Sequence, residues 1–221
     1  MRKFTRNSRT GSTLLEVLLA TGLFMLFTGG ALLMADVSSN ALRTGSTYSD
    51  LDARARRTLA EVCDLLRLAD AQGLWPAAPV APGNTHELEF QRAQGHDGTN
   101  IDWDLVEKLI LESDPSDPDD GVDNDGDGLV DECRVVWIDD FDQPTERRKT
   151  LCHDVAESLD GEVPGNLVDD NDNDLNDERG FCIDLDGSIA TVRLTLEGRD
   201  ANGLLIRSTV QRSVTLRNTT E

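Results

Sequence analysis

Two stretches of this chain concentrate oxygen donors at regular spacing. Residues 122–132 read V-D-N-D-G-D-G-L-V-D-E, and residues 168–178 read V-D-D-N-D-N-D-L-N-D-E. They align without a gap at an offset of 46 residues, sharing the pattern V-D-x-[DN]-x-[DN]-[GD]-L-x-D-E. Asp and Asn at alternate positions turn several oxygens toward one point while the backbone curls, with Gly128 or Asp174 taking the tight turn. Hard oxygen donors suit Ca²⁺ better than transition metals. The chain has only three His and no CxxC or HExxH, so a zinc site or metalloprotease is poorly supported. The expected ligands of site one are Asp123, Asp125, Asp127, the Leu129 carbonyl, Asp131 and, as a further candidate, Glu132. Those of site two are Asp169, Asn171, Asn173, the Leu175 carbonyl, Asp177 and Glu178. Site two has more neutral amides and is expected to bind more weakly. The plainer alternative is two solvated acidic loops, which is what charge runs usually are. Ungapped repetition of donors beside Gly and Leu weighs against it.

The first half of each stretch resembles an EF-hand loop, but the twelfth position would be Arg134 or Gly180 instead of the bidentate Glu. The closer resemblance is to the short DxDxDG calcium loops of thrombospondin type 3 and related extracellular repeats. That resemblance implies one or two bound Ca²⁺ ions.

The 221 residues carry 42 acids against 21 Lys and Arg, a net charge of −21. Nucleic-acid binding needs a basic face that releases phosphate counterions, so no nucleic-acid contact is expected. Hydrophobic residues make up 38%, enough to exclude global disorder despite the charge. His86, His96 and His153 stand in no recognisable nucleophile motif, and the metal reading claims most paired carboxylates. No enzyme activity is expected.

These loops need elements to hold them, and a membrane segment precedes those elements. Residues 1–11 are polar and basic, with Arg2, Lys3, Arg6 and Arg9 and no acid. Residues 17–35 carry no formal charge. As a helix they span about 28 Å, close to the hydrocarbon thickness of a bilayer. Basic residues before the span and Asp36 after it predict a cytoplasmic N-terminus and an exported remainder. Glu16 sits inside the apolar stretch, where a carboxylate is costly and demands a specific partner.

A basic leader, then Gly11, then Ser-Thr-Leu-Leu-Glu-Val-Leu-Leu-Ala resembles the class III signal of type IV prepilins and type II secretion pseudopilins. The resemblance implies that a membrane prepilin peptidase cuts between Gly11 and Ser12 and that the new N-terminus is methylated. Glu16 is then the fifth mature residue, where the family has its glutamate. Ser12 departs from the commonest residue, Phe, so the apolar knob at the helix tip is missing. In a filament the new ammonium of one subunit would sit against the Glu16 carboxylate of a neighbour, offsetting part of its desolvation cost. Cleavage would also remove four positive charges and leave the mature chain still more acidic.

Residues 36–72 are predicted to continue as the amphipathic half of one stem helix. Tyr48, Leu51, Ala55, Leu59, Val62, Leu66 and Ala69 recur at steps of three and four, a stripe suited to packing on a sheet. Gly22, Gly29, Gly30 and Gly45 weaken the helix by up to about 1 kcal/mol each relative to Ala, and Gln72-Gly73 before Trp75-Pro76 ends it. Residues 76–84 read as an extended linker. Residues 73–221 are expected to form a globular head. In it, 86–93 is a strand and 102–113 a short helix. Residues 133–140 and 149–156 form a strand pair around a turn at 141–144. Residues 188–200 and 204–218 form a hairpin closed by Ala201-Asn202-Gly203, with Val192, Leu194 and Leu196 on one face. The ending 213–218 also resembles the last strand of larger minor pilins. Acidic loops occupy 114–132 and 160–180.

The cysteines are Cys63, Cys133, Cys152 and Cys182, and an exported head is oxidisable, so two disulfides are predicted. Three connectivities are open. Cys133 and Cys152 lie symmetrically about the 141–144 turn, a placement that could set them opposite each other and leave Cys63 to reach Cys182.

The expected fold is therefore α+β: a long N-terminal helix, transmembrane over 12–35, packed on an antiparallel sheet. The resemblance implies a minor pilin or pseudopilin that partners other such subunits, starting in the bacterial inner membrane with its head in the periplasm. A membrane-anchored, calcium-dependent adhesin that never polymerises is the alternative from another class. A competence pilus subunit gripping DNA is a third, and the acidic charge counts against it.

Overall fold

The computed structural model describes residues 13–76, 84–98, 100–163, 165–173 and 175–217. Helix α1 runs Leu14–Leu66. Thr13 stands at its N-cap, its hydroxyl accepting the Glu16 N–H at 3.4 Å, and no proline interrupts the helix. The chain divides into two compact units, Met1–Arg43 and Thr44–Glu221.

In the first unit the described helix is exposed on all sides, including Leu18, Leu23, Phe24, Phe27 and Leu33. It is long and apolar enough to cross a membrane. Its hydroxyls are satisfied internally: Thr21 donates to the Val17 carbonyl at 2.9 Å and Thr28 to the Phe24 carbonyl at 2.9 Å. An apolar solvent requires such internal pairing, since nothing outside the helix can accept the bond.

The second unit packs the last turns of α1 on an antiparallel sheet. Leu51, Ala55, Leu59, Val62, Cys63 and Leu66 are buried at the predicted spacing, whereas Tyr48 is exposed. The helix stops at Leu66 instead of 72, because Ala69 turns back to bridge Arg92 and the Ala93 N–H donates to the Leu68 carbonyl at 3.0 Å. The strands are β1 (Asn84–Thr85), β2 (Glu87–Phe90), β3 (Ala93–His96), β4 (Ile101–Trp103), β5 (Glu107–Ser113), β6 (Cys133–Asp139), β7 (Arg147–Val155), β8 (Phe181–Asp186), β9 (Ile189–Arg199) and β10 (Leu205–Thr215). Eight of them form one sheet in the order β1-β8-β9-β7-β6-β5-β2, with β10 also paired to β9; β3 and β4 form a separate pair. The hairpin of β9 and β10 and the pair of β6 and β7 stand where the alternation predicts them. Val192, Leu194 and Leu196 face the helix core with Leu88, Phe90, Leu109, Val135 and Phe181.

Two expectations are corrected. Residues 102–113 are not a helix: they supply the end of β4 and all of β5, which is paired on both sides by β2 and β6. Leu109 and Leu111 reach the helix core from β5, and sheet pairing overrides the local helix propensity of this run. The disulfides are also absent: Cys63, Cys133, Cys152 and Cys182 are all free and buried. A register shift places Cys133 opposite Val155 and Cys152 opposite Val135. Cys182 alternates with Phe181 and Ile183, so it points away from the helix core that contains Cys63. Burial pushes the Cys182 thiol up to about 12, which keeps it protonated. The 76–84 linker falls largely outside the described residues.

Gly180 joins loop to strand where no side chain fits. Its N–H donates to the Glu157 carbonyl at 3.1 Å, and its carbonyl accepts the Thr195 N–H at 2.7 Å. A Cβ there would lie 1.8 Å from the Ala156 carbonyl oxygen. Gly180→Ala should therefore destabilise by about 1–3 kcal/mol or more, through forced backbone displacement. Gly95, with open space around its Cβ direction, should tolerate Ala within about 0.5 kcal/mol. Urea titration of the detergent-solubilised chain measures both.

Candidate metal centre

The two acidic loops are one device built twice. In the first, the Asp114 N–H donates to the Glu132 carbonyl at 2.9 Å; in the second, the Leu159 N–H donates to the Glu178 carbonyl at 2.9 Å. Three residues on, the Asp117 N–H bonds the Asp114 carbonyl at 3.0 Å and the Glu162 N–H bonds the Leu159 carbonyl at 3.0 Å. Asp117 and Glu162 then play the same part. Asp117 accepts the N–H groups of Asn124 (2.8 Å) and Asp131 (2.7 Å). Glu162 accepts those of Asp170, Asn171 and Asp177, each at 3.2 Å. The repeat is thus longer than its sequence motif, and the two inner acids escaped notice because one residue more separates Glu162 from its loop than separates Asp117. Both are buried, and acids inside runs of acids carry no distinguishing sequence signal.

The predicted ligands divide by role. Asp123, Asp125 and Asp127 place one carboxylate oxygen each within 4.8 Å of one another. Asx turns hold them: Asp123 accepts the Gly126 N–H at 2.6 Å and the Gly128 N–H at 3.0 Å, and Asp127 accepts the Leu129 N–H at 2.8 Å. Gly126 and Gly128 take φ values of 82° and 94°, so the tight turn falls where glycine stands; Asp174 lies outside the described residues. Asp131 and Asp177 serve as staples. Asp131 accepts the N–H groups of Asp120 and Gly121 at 2.9 Å, and Asp177 those of Asn166 (3.0 Å) and Leu167 (2.9 Å). In loop two, Asp169 accepts the Asn173 N–H at 3.0 Å and Asn173 the Leu175 N–H at 2.9 Å. Leu129 and Leu175 bury their side chains at matching positions and pin both loops.

Among the described residues, three buried oxygens in these loops lack a hydrogen-bond partner: Glu132 Oε1, Asn171 Oδ1 and Glu178 Oε2. Glu178 is 1% exposed, and its other oxygen accepts the Asn173 amide at 2.5 Å. Orphaned buried acceptors are rare in folded chains, and a hard cation satisfies them where no donor can. The donor set, all oxygen, fits Ca²⁺ in the first loop through Asp123, Asp125 and Asp127.

Loop one is tied to the sheet by Arg199, which donates through Nε to the Gly128 carbonyl and through Nη1 to the Gly203 carbonyl at 2.7 Å. At its start, Asp114 pairs with His153 Nδ1 at 2.6 Å. Burial opposes ionisation of Asp114, but the Ser116 hydroxyl and N–H and His153 outweigh it and hold the carboxyl at about 2. Gly11 and Ser12 lie outside the described residues. Glu16 is exposed on the first turn of α1.

The chain matches no protein-family model, no curated protein and no solved structure.

Burial, then a hydrogen bond to the Asp117 carboxylate, pushes Glu132 up from its ordinary 4.5 to about 8. Between those values the folded state holds a proton that the unfolded chain has released. Stability of the metal-free protein should therefore fall as pH rises from 4.5 to about 8. Glu132→Gln, which keeps a donor toward Asp117 without titrating, should flatten that slope. Thermal melts in EDTA across the pH range measure it.

Proposed function

We propose that this protein is a structural subunit of the minor pilin or pseudopilin kind, held in a membrane by its N-terminal helix before it joins a filament. The observation that carries the reading is one continuous design. Gly11, Ser12 and Glu16 precede an uncharged run over 17–35, and the same helix ends as an apolar stripe on an antiparallel sheet. A helix apolar on every side suits a membrane first and a filament core afterwards. Glu16 is the exception on that surface. Its role is to meet the N-terminal ammonium that cleavage after Gly11 creates on a neighbouring subunit.

The acidic loops hold Ca²⁺ in this reading, and the ion stabilises the head. Without a cation the clustered carboxylates repel; with one they become ligands of a folded turn. The alternative of a calcium-dependent adhesin that stays in the membrane shares the loops and the helix. It differs in keeping residues 1–11.

N-terminal sequencing should therefore find Ser12 first, and a chain beginning at Met1 or cut after Ala35 refutes the filament reading. Glu16→Ala should insert into the membrane normally yet fail to enter filaments, measured by fractionating sheared filaments from membranes. For the metal, a ligand that binds only the folded state stabilises by roughly 2.7 kcal/mol at a hundredfold excess over Kd. Melting in millimolar CaCl₂ should exceed melting in EDTA, with Mg²⁺ much less effective. Asp125→Ala combined with Asp127→Ala should remove most of the difference.

A further inference from the structure

Strand β10 leaves one of its edges open. Residues 205–215 pair one for one with β9 without a register shift, and β9 has β8 and β7 on its other side. The Asp200 N–H donates to the Leu204 carbonyl at 3.0 Å, and the Leu216 N–H donates to the Ser188 carbonyl at 2.8 Å. These bonds flank the ladder and fix its phase. Even-numbered residues of β10 bond to β9, and the N–H and C=O groups of Leu205, Arg207, Thr209, Gln211, Ser213 and Thr215 point the other way. On β9 the odd-numbered Thr195 likewise bonds away from β10, to Gly180 and Ala156. No strand meets the outward groups of β10 among the described residues, and all six of these residues are exposed.

Open edges invite further strands, and folded proteins blunt them with Pro, bulges, short length or a covering segment. Strand β10 is 11 residues long, contains no Pro or Gly and has no bulge. What it carries is charge of the rarer sign. Residues 203–218 hold Arg207, Arg212 and Arg217 and no acid, in a chain with 42 acids against 21 bases. Arg207 pairs with Glu197 at 3.0 Å, whereas Arg212 and Arg217 enter no ion pair among the described residues. Beside this edge, a cleft of about 330 Å³ is lined by Arg56 and Leu59 of α1 and by Val210, Gln211 and Arg212.

We propose that the free edge of β10 takes an added strand from an acidic, extended segment of another polypeptide. The outward main-chain groups of β10 supply the affinity, as they do wherever a peptide extends a sheet. Charge chooses the partner. Carboxylates of the added strand meet Arg212 and Arg217, which have no acid of their own. A second copy docking through the same edge is disfavoured, because it sets these arginines against their counterparts. Leu59 and Val210 give the cleft an apolar floor, so side chains on one face of the added strand gain burial there. Neither filament entry nor calcium is needed for this docking.

The test uses the full-length, detergent-solubilised protein and two synthetic peptides, one alternating Glu and Val, the other alternating Lys and Val. Amide exchange resolved to single residues reads the edge. With the Glu–Val peptide at about ten times its Kd, exchange at the outward N–H groups of β10 should slow about tenfold, since only about a tenth of the edges stay free. The Lys–Val peptide should leave exchange unchanged. Gln211→Pro removes an outward N–H and no bond to β9, so it should weaken peptide binding several-fold where Gln211→Ala does not. Arg212→Glu, at an exposed and unpaired position, should reverse the preference between the two peptides. Melting of each variant without peptide checks that it is folded. The proposal is overturned by no slowing with the Glu–Val peptide, by equal slowing with both peptides, or by an unchanged preference in Arg212→Glu. Slow exchange at these groups in the protein alone, lost on dilution, overturns it equally, because a second copy then occupies the edge.

Discussion

The head of this protein hangs on one stripe of a helix. Leu51, Ala55, Leu59, Val62 and Leu66 meet the apolar face of the sheet, and each fully buried Leu or Val contributes roughly 1.5–3 kcal/mol. Everything else is arranged around that contact. The sheet needs a continuous apolar face, so β9 sends Val192, Leu194 and Leu196 toward the helix and leaves Arg193, Thr195 and Glu197 on the opposite side. The helix must end in time for Ala69 to bridge Arg92, which closes the sheet's margin near β2. The earlier part of α1 leaves its described apolar side chains exposed, and the chain divides there into two compact units.

The second constraint is charge. An acidic excess of 21 has to be placed somewhere, and the fold concentrates much of it in two loops. The loops survive because many of their carboxylates accept backbone N–H groups. These bonds lower the cost of the acids and fix the loop backbone at once. Asp117 and Glu162 do this from inside, Asp131 and Asp177 from the flank. What remains after this pairing is informative: Asp123, Asp125 and Asp127 converge, and buried oxygens of Glu132, Asn171 and Glu178 find no donor among the described residues. A cation would complete the pattern, and its removal would be felt through Leu129 and Leu175, which root the loops in the head.

Polar groups buried inside the sheet show how far tertiary context reaches. Glu107 on β5 is fully buried, where it accepts from the Arg92 guanidinium and from Trp137 Nε1 at 2.6 Å. Burial pushes its carboxyl up while Arg92 and Trp137 pull it down. The run 102–113 reads locally as a capped helix, and only partners far away in sequence make Glu107 tolerable in a central strand. The cysteines make the same point. Their spacing about a turn predicted pairing, but a shifted register and the two-sided geometry of β8 separate them.

The sequence by itself determined those features whose cause is local. A nineteen-residue uncharged run states its length against a bilayer, a three-four spacing states which face of α1 is buried, and alternation over β9 and β10 states their inner face. The acidic repeat announced its oxygen donors in the same way, because consecutive residues of a tight loop must lie close together. The tertiary structure decided the rest. Which acids bind backbone and which converge, where α1 stops, and that 107–113 is a strand all depend on register between distant segments. A one-residue shift of register exchanges the two faces of a strand and leaves its local sequence unaltered, so no local pattern can carry that information.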